Sequence, residues 1–164
     1  MKSSEATSRP ARRTRLTWDE YFIKMLDAVA ERATCDRGRS ACIVTDDRRI
    51  VATGYVGAPS GFPHCDDVGH NLQSGHCTRT VHAEQNAIAS AARAGVKLDG
   101  ATWYTTMTPC RVCAMLIVTS GALRVVSSFL YHDREGLEVL TTSGDGVLTR
   151  LDVKVLDVER RLYD

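Results

Sequence analysis

Little in this chain favours a polyanion or a membrane as its partner. Aromatic residues make up only 6% of the 164, and no basic stripe is interleaved with them, as surfaces that stack single-stranded nucleic acid require. No charge of one sign dominates. The formal net charge is +1, so no global field points to nucleic acid or to an anionic membrane surface. No apolar run approaches the roughly 20 residues needed to span a bilayer. The opening MKSSEATSRPARRTR has no apolar segment of the kind a secretory signal carries. Five of its residues are cationic (Lys2, Arg9, Arg12, Arg13 and Arg15), and without them the body is slightly acidic. Residues 1–15 read as a disordered basic tail and 16–164 as a single domain, a length suited to one core. Repeats are absent. These exclusions favour a cytoplasmic protein.

The local signals alternate between helix and strand. Thr17 and Glu20 form a T-x-x-E capping box ahead of Trp18, Phe22, Met25, Val29 and Ala33, whose spacing predicts a helix over about 17–34. ACIVTD (41–46) and RRIVATG (48–54) read as a β-hairpin. Residues 55–80 are long and irregular, and a loop of that length is usually functional or pinned by something. HAEQNAIASAARA (82–94) is helical, with Gly95 placed to end it. ATWYTTM predicts a buried strand. Thr108 can then cap, and Pro109 begin, a second helix that stops before Gly121. LRVVSSF predicts a strand, DREGLEVLTT a short helix, and LDVKVLDV a last strand. Such alternation argues for a three-layer α/β sandwich.

Six cysteines could be a secreted disulfide set or cytosolic metal ligands, and the missing signal peptide favours metal. Cys110 and Cys113 lie three apart in PCRVC at a helix start, where two thiols can grip one ion and the helix dipole favours their thiolates. C-x-x-C alone is a weak sign. His82 and Glu84, at the start of the other helix, make it a strong one. His82, Cys110 and Cys113 leave one tetrahedral position open, the layout of a catalytic zinc site in which bound water is acidified. Glu84 is then a proton carrier rather than a ligand. A structural zinc knuckle would supply a fourth protein ligand nearby, and none is evident.

This H-x-E…P-C-x-x-C arrangement is the zinc nucleobase-deaminase signature. With GYVGAPSG, HCDDVGH, GHCTRTVHAEQNAI, GATWYTTMTPC and SGALRVV around it, the chain from about residue 18 to 131 resembles the cytidine and deoxycytidylate deaminase superfamily, and its deoxycytidylate branch in particular. The resemblance implies an α/β/α sandwich with a central mixed sheet of about five strands. It implies hydrolytic deamination of dCMP to dUMP and ammonia by a zinc-bound hydroxide, with Glu84 as proton shuttle, supplying dUMP for thymidylate synthesis. Cys35, Cys65 and Cys77 match positions that bind a second, structural zinc in similar deaminases. His70 is the leading fourth ligand, with His76 and His64 as alternatives. Cys42, mid-strand, reads as a small buried hydrophobe.

By resemblance, the backbone near Ala83 reads the base carbonyl and Asn86 supports the site. Tyr131, His132 and Arg134, after a strand end, are candidates for the 5′-phosphate. Relatives carry G-Y-N-G where this chain has Gly54-Tyr55-Val56-Gly57. Their Asn meets the sugar 3′-hydroxyl, so Val56 removes a hydrogen bond of roughly 1 kcal/mol. That change opens the alternatives of a modified or different nucleotide, or of a nucleic-acid base. A zinc-stabilised binding module without catalysis is the reading from another class. The expected partners are a pyrimidine nucleotide and other copies of the chain, with a hexamer implied by resemblance, and neither nucleic acid nor membrane.

Overall fold

In the computed structural model, the described residues are 14–73, 75–142 and 151–156; most of the basic tail and the end of the last predicted strand lie outside them. The capping box forms as expected. Thr17 Oγ1 accepts from the Glu20 backbone N–H at 3.3 Å, and Glu20 accepts from the Thr17 N–H at 2.7 Å. Helix α1 spans Trp18–Ala30, shorter than the spacing predicts. Beyond it the chain is drawn away: the Thr34 N–H donates to the Val56 carbonyl at 3.2 Å, and Cys35 turns into a buried cluster. The buried stripe of α1 is Phe22, Ile23, Leu26 and Ala30. Trp18 stays half exposed, with the Arg48 guanidinium 5.4 Å from its ring centre.

Strands β1 (Ala41–Asp46) and β2 (Arg49–Tyr55) form the predicted hairpin. Its two turn residues, Asp47 and Arg48, both have positive φ, the backbone that matches a tight turn to the twist of the strands. Then follow α2 (Cys65–Val68), the two-residue strands β3 (Leu72–Gln73) and β4 (His76–Cys77), and α3 (Ala83–Ala94). Strand β5 (Thr102–Met107), α4 (Arg111–Thr119), β6 (Arg124–Phe129), α5 (Glu135–Thr141) and β7 (Asp152–Val155) complete the order. The main sheet runs β2-β1-β5-β6-β7. β1 is antiparallel to β2 and β5, whereas β5, β6 and β7 are parallel. A mixed five-stranded sheet is therefore present.

Side-chain alternation divides the interior into two layers, because neighbouring strand residues face opposite sides. Ala41, Ile43, Tyr104 and Val126 pack on α1. Cys42, Val44, Trp103 and Val125 pack with Ala83, Ala87 and Ala91 of α3 and with Ala114 and Ile117 of α4. Cys42 is fully buried there as a small apolar side chain.

Asp19 ties α1 to the sheet. Its carboxylate accepts from Arg124 at 2.6 and 3.0 Å, from Lys154 at 3.0 Å and from the Tyr104 hydroxyl at 3.2 Å. The Arg124 hydrogen bonds hold its carboxyl well below the ordinary value of 3.8, against the opposing effect of burial. A depressed folded-state value adds stability that is complete above 3.8 and is lost as the pH falls below it. Asp19→Asn is expected to cost about 2 kcal/mol at pH 7 and progressively less below pH 4. Urea unfolding at pH 7 and pH 3 measures both effects, and equal losses at the two pH values would remove Asp19 from this role.

Candidate metal centre and cavity

The site lies where chain ends collect. β2 and β5 run in the same direction, each antiparallel to β1, and β6 is parallel to β5. The loops leaving β2, β5 and β6 therefore meet the loop entering β1 at one edge of the sheet. Ligand sites in open α/β sheets favour this edge, outside the carboxyl ends of strands.

His82 is the N-cap of α3 and Cys110 the N-cap of α4, both with extended backbone. This corrects the expectation that Thr108 caps the second helix. The Thr108 hydroxyl instead accepts the Tyr131 N–H at 2.8 Å, which holds the loop after β6 against the loop after β5. His82 Nδ1 lies 3.5 Å from the Sγ atoms of both Cys110 and Cys113. Tetrahedral zinc, with bonds of about 2.3 Å to sulfur and 2.0 Å to nitrogen, would set such N and S atoms roughly 3.6 Å apart. The donor set fits a zinc ion in both chemistry and spacing.

Electrostatics at this centre are those of groups sharing protons. The Cys110 thiol is pulled down to about 4, chiefly by its hydrogen bond with Cys113 and, against burial, by His82. Cys113 is pushed up by the same Cys110 contact and by burial. The His82 imidazole is raised, chiefly by its hydrogen bond with Cys110. Glu84, second residue of α3, is only 7% exposed, and burial pushes its carboxyl up. The three-residue cluster that could hold an ion contains His82, Cys110 and Cys113 without Glu84, so the carboxyl stands beside the centre as a group able to hold or release a proton.

Cys35, Cys65, His70 and Cys77 form a second cluster, with ligand atoms within 4.8 Å of one another. Cys65 and Cys77 Sγ are 3.6 Å apart, and Cys35 Sγ is 3.7 Å from His70 Nδ1. These spacings also suit zinc, for which two sulfurs sit roughly 3.8 Å apart. Neither His64 nor His76 joins the group. Asp36 Oδ1 lies 2.9 Å from His70 Nε2, a contact that turns Nδ1 toward the cysteines. Burial pushes Cys65 up to about 12. In Cys77 burial is outweighed by the Arg79 and Asn71 backbone contacts and by hydrogen bonds with His70 and Cys65, which bring it down to about 6.

A cavity of about 880 Å³ joins the two clusters, with Cys35 and Cys77 on one side and His82, Glu84 and Cys110 on the other. Of the other residues singled out from sequence, Val56, His76, Thr108, Tyr131 and His132 line it. Ala83 is fully buried behind it. Asn86 is not in the lining; its Nδ2 donates to the Tyr55 carbonyl at 2.9 Å, which fastens α3 to the chain just before Val56. Arg134 lies outside the lining, immediately before α5. Sequence reasoning missed Arg37, Arg39 and Thr80, which do line the cavity. The only signal available was the pair of cations just after Cys35.

A mixed α/β sheet, with two helix starts bringing one imidazole and two thiols together beside a buried carboxyl, defines a zinc-binding nucleobase-deaminase class. The chain belongs to the cytidine and deoxycytidylate deaminase family, whose zinc-binding region matches residues 16–129. It is 40% identical to the deoxycytidylate deaminase of Mycobacterium phage D29, over 69% of this chain and 95% of that protein. It is 34% identical to ComE operon protein 2 of Bacillus subtilis, over 90% of this chain and 79% of that protein. Among solved structures, the dCMP deaminase from cyanophage S-TIM5 in complex with dCMP and dUMP aligns with a TM-score of 0.67 and 29% identity, covering 83% of this chain and 93% of that one.

Two glycines allow the metal-bearing helix starts to approach their neighbours. A Cβ on Gly54 would strike the backbone of Ala83 and Ala87, and one on Gly136 would strike the backbone of Pro109 and Cys110. Backbone cannot step aside as a side chain can. Gly54→Ala is therefore expected to destabilise the fold by roughly 1–3 kcal/mol and to lower zinc retention by displacing His82. Thermal unfolding and zinc analysis test this; a variant matching the parent in both would show that α3 tolerates the shift.

Proposed function

We propose that the chain hydrolyses dCMP to dUMP and ammonia, with zinc held by His82 Nδ1 and the sulfurs of Cys110 and Cys113. The observation that carries this reading is the position of Glu84: buried, outside the ligand set and at the floor of the cavity. The similar cyanophage enzyme crystallised with dCMP and dUMP supports the choice of substrate. When bound, zinc supplies a Lewis acid that makes water nucleophilic near neutral pH. Glu84 accepts one proton of the attacking water and passes it to N3 of the cytosine ring, then takes the remaining proton from the new C4 hydroxyl and delivers it to the 4-amino group, which departs as ammonia as the C4 carbonyl forms. Its burial-raised carboxyl suits a group that must both take and give a proton. The cavity is open to solvent, so a base can enter it, while Glu84 at its inner end is nearly shielded from water.

Val56 is 8% exposed and lines the cavity. It presents no donor to a sugar hydroxyl, so a modified nucleotide remains the second reading. A panel of dCMP, deoxycytidine, dCTP and a 5-substituted dCMP, assayed for ammonia, ranks these substrates, and dCMP is expected first. Glu84→Gln is expected to lower turnover by about a thousandfold with zinc content unchanged. A chain with no turnover before the change would be a binding module.

The second cluster belongs to the same proposal, as a structural zinc site of Cys35, Cys65, His70 and Cys77. Thiols grouped so closely stay reduced in a cytoplasmic setting. A partner copy is the other expectation. The apolar face available for it is on α4, where Val112, Met115 and Leu116 are 51%, 42% and 39% exposed, rather than on the Ala-rich α3, whose Ala83, Ala87 and Ala91 face the core. Two zincs per chain are expected by elemental analysis, falling to one in Cys65→Ser. One zinc in both proteins would eliminate the structural site.

A further inference from the structure

Thr108 is a polar side chain where an apolar one would fill the same space. It is only 1% exposed and lies between β5 and α4, two residues before Cys110. Its backbone N–H donates to the Phe129 carbonyl at 3.0 Å, and its hydroxyl accepts the Tyr131 N–H at 2.8 Å. One residue thus grips the chain on either side of Leu130, where it leaves β6. We propose that Thr108 is a positioning residue, which sets the Tyr131 side chain as the cavity wall beside Cys110 and Glu84. The inference rests on the dCMP reading above and deepens it.

Tyr131 lies beyond the β5–β6 ladder, whose last pair is Met107 and Phe129, so the Thr108 hydroxyl takes over where strand pairing stops. Thr108, Tyr131, Cys110 and Glu84 all line the cavity. The Tyr131 phenol feels the centre: burial pushes it up, Cys110, Asp133 and Glu84 add to the rise, and Arg37 opposes it. Arg37 is itself oriented, because its Nη2 donates to the Gly75 carbonyl at 2.8 Å. The Tyr131 and His132 ring centres are 4.1 Å apart, so displacing one ring disturbs the other. On its far side, the Pro109–Cys110 backbone is met so closely by Gly136 of α5 that a Cβ there would strike it. The loop that carries Thr108 is therefore held and cannot follow Tyr131. Valine at 108 has nearly the same shape but no acceptor, and the Tyr131 N–H must then move to find another partner.

The test compares zinc-loaded parent, Thr108→Val and Thr108→Ser by amide hydrogen exchange at Tyr131, calorimetric binding of dUMP, and kcat and KM for dCMP. In Thr108→Val the Tyr131 amide is expected to exchange roughly tenfold faster. The dUMP affinity should fall, and KM for dCMP rise, by a similar factor, with kcat and zinc content within about twofold of the parent. Thr108→Ser keeps the acceptor and should restore all three values. Should Thr108→Val not fold, Thr108→Ala removes the acceptor without adding bulk and carries the same expectations. Unchanged exchange or unchanged dUMP affinity without the acceptor overturns the proposal. So does a loss that serine shares with valine, or a fall in zinc content, since Thr108 would then support the fold or the Cys110 loop alone. A parent that neither binds dUMP nor turns over dCMP sinks the substrate reading and this proposal with it, a failure visible before any substitution is made.

Discussion

The starts of α3 and α4 bring His82, Cys110 and Cys113 into one cluster, although His82 and Cys110 are 28 residues apart. The core layer between the sheet and these two helices serves that approach. β5 lies between the two helices in the chain and beneath both in space, packing Trp103 against the inward alanines Ala83, Ala87, Ala91 and Ala114. Small side chains keep each helix close to the sheet. Where even alanine would be too large, Gly54 and Gly136 stand. The Ala-rich character of the third helix is thus a packing requirement beside the His82, Cys110 and Cys113 cluster. In interiors packed as densely as crystals, added volume on either helix moves the ligands rather than filling space.

The spacing of His82 and Glu84 makes sense once the helix boundary is placed. Residues two apart in a helix do not share a face. His82 is not in the helix: its extended backbone, φ −68° and ψ 156°, breaks the helical phase one residue before Ala83. The Gln85 side chain accepts the His82 N–H at 3.1 Å and fixes that break. Imidazole and carboxyl can therefore meet the same cavity while doing different work. The carboxyl is buried with its backbone N–H at a helix start, whose partial positive charge tempers the cost of burial.

Local chemistry made much of this fold legible. The Thr17–Glu20 box, the hairpin and the Gly95 stop each depend on residues within a few positions, so sequence carries them directly. The two Cys/His groupings were legible for another reason: few residue types bind zinc, and His82, Cys110 and Cys113 occupy a spacing with few other uses. What escaped was set from a distance. The end of α1 is decided by the Val56 carbonyl, 22 positions past Thr34. Thr108 looks like a cap, yet its hydroxyl is claimed by the Tyr131 N–H. Alternation in the last strand says which residues face inward but carries no direction, and the parallel pairing of β6 with β7 emerges only in three dimensions. Arg37 and Arg39 read as ordinary loop cations until the sheet edge brings their loop beside residues 75–84.

The segment from Val56 to Val81 shows why two clusters share one cavity wall. Its own secondary structure is one four-residue helix and a pair of two-residue strands, too little to hold itself in place. Backbone pairing fastens its ends, through Gly57 and Val81, and in its middle Cys65, His70 and Cys77 gather around Cys35. Cross-linking four side chains through one ion would restrict a loop far more than the same thiols packed without it. The consequence reaches the catalytic side. Gly75, which positions the Arg37 guanidinium, lies between His70 and Cys77 and inherits their order. A change at the second cluster should therefore alter the mouth of the cavity before it alters the floor, because His82, Glu84 and Cys110 belong to helix starts supported independently by the sheet.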